Sequence, residues 1–263
     1  MSEVVEVSYE NAVARVWLNR PERHNALDER LIHDLHKAVD HLVEDPTVRV
    51  IVIGSDGPSF CAGADLDWMR RAAMLDGTAN RQDARQLASL LYAIATARKP
   101  VVARVQGSAY GGGVGLVCAC DVAIGVEGVQ FALTEVRLGL AAATISPYVL
   151  NAIGARQARR LVLTGEPFGS SEAHRIGVLH EVVTAGELDA AVQRTIDMLL
   201  QGGPHAQSVV KDLFRELEGA PLSPDLVDDT ARTLADIRAS HDGREGIAAF
   251  LERRKPRWAP SAE

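Results

Sequence analysis

Short runs rich in Val and Ile alternate with helix-period stretches through the first half of the chain, and no other feature restricts the fold as much. Residues 12–18 (AVARVWL), 49–53 (RVIVI), 100–105 (PVVARV) and 121–126 (DVAIGV) read as strands. Between them Leu31, Leu35, Ala38, Val39 and Leu42 recur at helical spacing, as do Leu87, Leu90, Leu91 and Ile94. Strands separated by helices cannot close as hairpins, so the pattern predicts an α/β protein with right-handed crossovers. From about residue 146 the chain turns mostly helical. Leu188, Val192, Ile196 and Leu199 mark one helix; Val209, Val210, Leu213 and Leu217 mark another, opened by Pro204. Residues 76–80 (DGTAN) read as a flexible interruption, and 259–263 as a loose tail.

A chain of 263 residues with 47% hydrophobic content can bury a large core. Its net charge of −7 argues against bulk nucleic-acid binding. No run approaches the roughly 18 apolar residues of a membrane span. The acidic, alternating start MSEVVEVSYENAV does not read as a targeting peptide. Cys61, Cys118 and Cys120 are too few for a disulfide scaffold and sit in apolar surroundings. The expectation is a cytoplasmic protein without a membrane partner.

Two glycine- and alanine-rich segments each follow a strand and precede a helix: SFCAGADL at 59–66 and AYGGGVGLV at 109–117. A strand, a tight turn and a helix start leave backbone N–H groups free at one point, and the helix dipole adds positive potential there. Phosphate is one candidate ligand. Gly107 and Gly112 have P-loop spacing, but Gly113-Val114 stands where Lys-Ser or Lys-Thr is needed. Gly113 and Gly115 begin a dinucleotide fingerprint whose third position is Cys118. Both phosphate motifs fail. Close strand–helix packing remains one reading of the glycines. The other is that N–H groups from the two turns converge on one oxygen as an oxyanion hole.

With these segments in view, the chain resembles the enoyl-CoA hydratase/isomerase (crotonase) family over nearly its whole length. The resemblance is carried by NRPERHNAL at 19–27, FCAGADL at 60–66, QGSAYGGG at 106–113, FALTEVRLG at 131–139 and AFLERRKP at 249–256. It implies a crotonase-like spiral of ββα units with a C-terminal helical trimerisation region: residues 1–200 as the core with the acyl-CoA site, and 201–263 packing on the core and a neighbouring subunit. It implies an acyl-CoA thioester as partner, with coenzyme A part of the substrate and no separate cofactor or metal, in a homotrimer or homohexamer. The N–H groups of Ala64 and Gly112 would hold the thioester oxygen. Ala26, Ala62, Asp65 and Leu66 would line the CoA path, and Glu135 would be the acid/base. Within the family the segments 60–71 and 131–148 look most like bacterial 3-methylglutaconyl-CoA hydratases of leucine breakdown.

One position departs from the pattern. Two-glutamate hydratases of the family carry a first glutamate two residues after the last of the three glycines; here that residue is Gly115. Glycine removes a proton-transfer group and is expected to leave room. Glu135 then works alone as a single-base hydratase, or shuttles a proton between two carbons as an isomerase, or the protein binds acyl-CoA without catalysis. A distal substrate carboxylate would need a cation, and Arg70, Arg71 and Arg137 are the basic residues nearest the site segments. Arg253, Arg254, Lys255 and Arg257 form a basic cluster that reads as a solvated face or as a contact to CoA phosphates. Trp68 and Met69 read equally as acyl-pocket wall or core. Cys118 and Cys120 lack further ligands for a metal and read as core. His33 and His36 read as solvated, and His174 and His180 as structural or exposed.

Overall fold

The computed structural model describes residues 4–260. The chain winds in repeating turns, each laying a long strand in one sheet and a short strand in another before a helix returns it. A hairpin of β1 (Val5–Glu10) and β2 (Val13–Leu18) leads to α1 (Glu29–Glu44). The next turn is β3 (Val50–Ser55), β4 (Ser59–Cys61), α2 (Leu66–Ala72) and α3 (Gly77–Thr96). Then come β5 (Val101–Val105), β6 (Ser108–Tyr110) and α4 (Gly112–Ala119). The following turn is β7 (Val122–Val126), β8 (Gln130–Ala132), a 3-10 turn at Glu135–Leu138 and α5 (Ser146–Thr164). After β9 (Phe168–Gly169), α6 (Ser170–Ile176) and β10 (Glu181–Val183) the rest is helical: α7 (Leu188–Gln201), α8 (Pro204–Leu217), α9 (Pro224–Ala239) and α10 (His241–Leu251).

The long strands form a six-stranded sheet in the order β1-β2-β3-β5-β7-β10, parallel except for the first hairpin. The short ones form a four-stranded sheet, β4-β6-β8-β9. All six residues of β3 are buried, as expected for a strand covered on both faces. α1 starts where the Asp28 carboxylate accepts from Leu31 N–H, and it buries Leu31, Ile32, Leu35, Val39 and Leu42. At its other end Lys99 Nζ donates to the carbonyls of Leu42 and Asp45, satisfying groups the helix leaves open. α7 buries Leu188, Val192 and Ile196 and packs on β5 and β7. By contrast α8 and α9 bury nothing within the protomer.

Two sequence expectations change. Residues 76–80 are not an interruption: Asp76 caps α3, its carboxylate accepting from Thr78 and Ala79 N–H. Of the tail, Ala259 and Pro260 are hydrogen-bonded, through Ala259 N–H to Pro256 O and Lys255 Nζ to Pro260 O, and 261–263 lie outside the described residues. Among the described residues no helix is long and apolar enough to cross a membrane.

Candidate active site

The second sheet brings the two glycine- and alanine-rich segments together. β4 and β6 run parallel, with Cys61 opposite Ala109. Three residues beyond that pair lie Ala64 on one chain and Gly112 on the other, so the two leave the sheet side by side. The approach is tight. A Cβ on Gly113 would lie 2.4 Å from Cys61 O, so only glycine fits. Gly111 turns the chain into α4 with φ +49°, a backbone that L side chains rarely adopt.

Both N–H groups are free for definite reasons. Leu27 and Ala64 form an isolated parallel bridge in which Leu27 N–H donates to Gly63 O at 2.7 Å and Leu27 O accepts from Asp65 N–H at 2.8 Å. Leu27 thus bonds to the residues flanking Ala64, and the Ala64 N–H points the other way. Gly112 is the first residue of α4, whose N–H has no carbonyl one turn back. Among the described residues neither N–H has an acceptor. Ala64 is exposed and Gly112 half-buried, so both are open to a ligand.

The sequence reading assigned no role to the residues that hold the Leu27 segment in place. Asn25 is fully buried at φ 54°, and its amide accepts from Arg20 N–H and donates to Asp56 O and Ser59 O. Arg20 bonds Ala26 O, Asp28 and Asp65. Both belong to the NRPERHNAL motif, but Asp56, Ser59 and Asp65 are distant in sequence from it and no periodicity marks these contacts.

Glu135 opens the 3-10 turn after β8. β8 pairs with β6 at Ala109–Phe131 and Tyr110–Ala132, and Gly111 N–H donates to Ala132 O. This register sets the carboxyl over the glycine turn: Oε1 lies 3.0 Å from where a Gly111 Cβ would be. Oε2 is buried and has no hydrogen-bond partner among the described residues. Burial pushes the Glu135 carboxyl above its ordinary value, only partly offset by a backbone N–H.

At Gly115 the expected room is absent. A Cβ there would lie 2.3 Å from Ile145 Cγ2 and 2.8 Å from Ile145 Cβ. Ile145, fully buried at the start of α5, fills the space beside the glycine. A hydrocarbon branch stands beside the position that carries a carboxylate in the two-glutamate pattern. Nothing in the sequence signals this, because the two residues meet only through the packing of α4 on α5.

The other expected residues fall as follows. Ala26 is buried, Ala62 half-buried with its N–H on His24 O, and Leu66 is exposed at the start of α2. Asp65 caps α2 by accepting from Asp67 and Trp68 N–H. Burial pushes its carboxyl upward, but those N–H groups and Arg20 outweigh it and hold it below the ordinary value. Arg70 is paired with Asp67 and Arg71 with Glu29, both at the surface. Arg137 reaches Thr164 O at 3.4 Å and has no carboxylate partner among the described residues. In the C-terminal basic cluster, Arg254 is paired with the largely buried Glu245, which it holds at about 2. Trp68 is buried, its indole N–H on Asp83, and Met69 is half-buried. Burial raises the Cys61 and Cys118 thiols to about 12. His33 is exposed and His36 lies 3.6 Å from Asp40; His180 Nδ1 accepts from Ala123 N–H, and His174 Nδ1 is 3.2 Å from Leu179 O.

Two unpaired backbone N–H groups at the ends of neighbouring strands, with a carboxyl whose buried oxygen is unpaired over the same glycine turn, are the parts that an oxyanion-stabilising, proton-moving site requires. The sequence model of the enoyl-CoA hydratase/isomerase family matches residues 8–261, and the chain belongs to that family. It is 35% identical over 246 residues to a putative enoyl-CoA hydratase of Thermus thermophilus, covering 94% of this chain and 97% of that one. The fold matches the crystal structure of an enoyl-CoA hydratase from Shewanella pealeana with TM-score 0.95, 39% identity and coverage of 97% and 96%. It matches Pseudomonas aeruginosa AtuE with TM-score 0.93, 35% identity and coverage of 98% and 100%. These neighbours place the chain in the crotonase fold.

Proposed function

We propose that the protein is an enoyl-CoA hydratase in which Glu135 is the single acid/base, acting on a short or branched enoyl-CoA. The observation that carries this is the unpartnered, buried Glu135 Oε2 beside the free N–H groups of Ala64 and Gly112. The two N–H groups donate to the thioester oxygen, and the backbone at Ala26, Ala62, Asp65 and Leu66 lines the CoA path. A water bonded to Glu135 attacks the β-carbon. Its O–H bond breaks toward the carboxylate, the new C–O bond forms, and the π electrons move onto the thioester oxygen. The enolate collapses by taking the same proton from Glu135 at the α-carbon. Each atom of water is accounted for, and Glu135 ends ionised as it began. The raised carboxyl suits the first half, being a stronger base than a free glutamate.

The absence of a carboxylate at Gly115, with Ile145 in its place, favours one competing reading, in which Glu135 moves a proton between two carbons as an isomerase. Hydration and double-bond migration measured in parallel on crotonyl-CoA and a 3-enoyl-CoA separate the two. Hydration should dominate; migration without hydration assigns the isomerase.

We further propose 3-methylglutaconyl-CoA as a substrate. The apolar branch of Ile145 suits a methylated chain, and the distal carboxylate needs a cation. Arg70 and Arg71 are occupied by surface carboxylates, whereas Arg137 stands two residues from Glu135 without one. Arg137→Met should lower kcat/KM for 3-methylglutaconyl-CoA about tenfold or more and leave crotonyl-CoA within about twofold, since a charged hydrogen bond is worth about 1.5–3 kcal/mol. Equal losses on both substrates would remove Arg137 from substrate selection.

A further inference from the structure

Arg20 stands behind the oxyanion turn, its side chain only 12% exposed. Nη1 donates to Ala26 O at 2.7 Å and lies 2.9 Å from Asp28 Oδ2, and Nη2 donates to Asp65 Oδ2 at 3.2 Å. These partners flank the Leu27–Ala64 bridge: Ala26 and Asp28 on either side of Leu27, Asp65 directly after Ala64. Each carboxylate is also a helix cap, Asp28 of α1 and Asp65 of α2. One planar cation therefore ties together both chains of the bridge and the first turns of two helices. Without it Asp28 and Asp65 would lose the cation between them, and their repulsion would act to open the bridge.

We propose that Arg20 is a positioning residue for the reaction: by clamping the Leu27–Ala64 bridge it sets the direction of the Ala64 N–H and so the strength of the oxyanion hole. The proposal rests on the reading that this N–H holds the thioester oxygen. The shape of the cation matters. The rigid fork of a guanidinium reaches two carboxylates and a carbonyl at once, which an ammonium on a flexible stem cannot do with the same geometry.

Arg20→Lys, Arg20→Met and Asp65→Asn test the clamp. Asp65→Asn keeps a side-chain oxygen to cap α2 and removes the charge that Arg20 holds. Each is assayed for kcat and KM with crotonyl-CoA, for thermal unfolding, and for the thioester C=O stretch of bound butyryl-CoA by isotope-edited infrared difference spectroscopy. Butyryl-CoA is saturated and is not hydrated, so its carbonyl reports the hole directly. The expected result is a kcat about 10- to 100-fold lower, since small misplacements cost up to about 10²-fold, a KM within about threefold, and a carbonyl band moved back toward that of free butyryl-CoA. Arg20→Lys should fall between wild type and Arg20→Met. If Arg20→Met does not fold, Arg20→Lys and Asp65→Asn carry the comparison. A kcat that falls with the band unmoved makes Arg20 merely structural and overturns the proposal. So does a KM that rises with kcat held, which makes Arg20 a CoA contact, and so does an unchanged kcat in folded Arg20→Lys. A wild-type protein that binds butyryl-CoA without shifting its band overturns the oxyanion reading itself; a wild-type shift that survives in every variant overturns the clamp alone.

Discussion

Glu135, the proposed acid/base, is held in place at a cost to the fold. Its carboxyl is drawn out of water with Oε2 unpaired, so the folded state holds the proton more tightly than the unfolded chain does. Between the ordinary glutamate value and the raised one the folded protein therefore binds more protons, and stability falls as pH rises through that window. Glu135→Gln keeps the shape and removes the charge. It should be more stable than wild type near neutral pH, with the difference vanishing below the ordinary glutamate value, as thermal melts across pH will show. Activity should move oppositely. The variant should lose about 10²–10⁴-fold in kcat, the usual contribution of a general base, while isothermal titration with butyryl-CoA shows affinity retained. Wild-type hydration should rise with pH along a limb displaced above the ordinary glutamate range, because the reacting form is the carboxylate. A pH–rate profile with its acid limb at or below that range would contradict the assignment, as would full activity in Glu135→Gln.

At the scale of elements, the site is made by the ends of short strands and the starts of helices. The β4–β6 register sets Ala64 beside Gly112, the β6–β8 register sets Glu135 over Gly111, and the packing of α4 on α5 seats Ile145 against Gly115. That last contact decides what a second carboxylate would do. Gly115→Glu would drive a side chain into Ile145 and bury a charge without a partner. Overpacking alone costs about 1–3 kcal/mol, and an uncompensated buried polar group adds a similar or larger amount. The variant should melt well below wild type and gain no hydratase activity. Pairing it with Ile145→Ala opens the space and should recover part of the lost stability. A stable single variant with faster hydration would show that α5 yields there more readily than its fully buried Ile145 indicates.

In the whole protomer the C-terminal helices leave several large apolar side chains uncovered. α8 and α9 bury no residue and α10 only Glu245 and Ala249, yet Phe214, Val227, Phe250 and Leu251 are 67%, 62%, 82% and 73% exposed. Large exposed side chains on helices that bury so little of their own mark an interaction surface. We propose that these helices pack on other copies in a trimer or hexamer with closed symmetry. Phe214→Glu combined with Phe250→Glu should lower the sedimentation coefficient to that of a 28.3 kDa monomer. Wild-type protein that already sediments as a monomer at micromolar concentration would exclude the assembly.

Sequence alone determined the α/β alternation, the central strands, the two small-residue turns and, through the family resemblance, Glu135, Ala64 and Gly112 as site candidates. These are legible because strand and helix periods, glycine turns and contiguous motifs are local. β4, β6, β8 and β9 were not legible: at two or three residues they are too short for any period to register. Asp76 read as a break for a related reason, since the same polar residues that favour turns also cap helices. Tertiary structure alone decided that the Ala64 N–H is free, that Arg20 joins two helix caps, and that Ile145 occupies the space at Gly115. Each of these joins residues from separate turns of the spiral. Only strand register and helix packing, which act through space and leave no spacing in the chain, bring such residues within bonding distance.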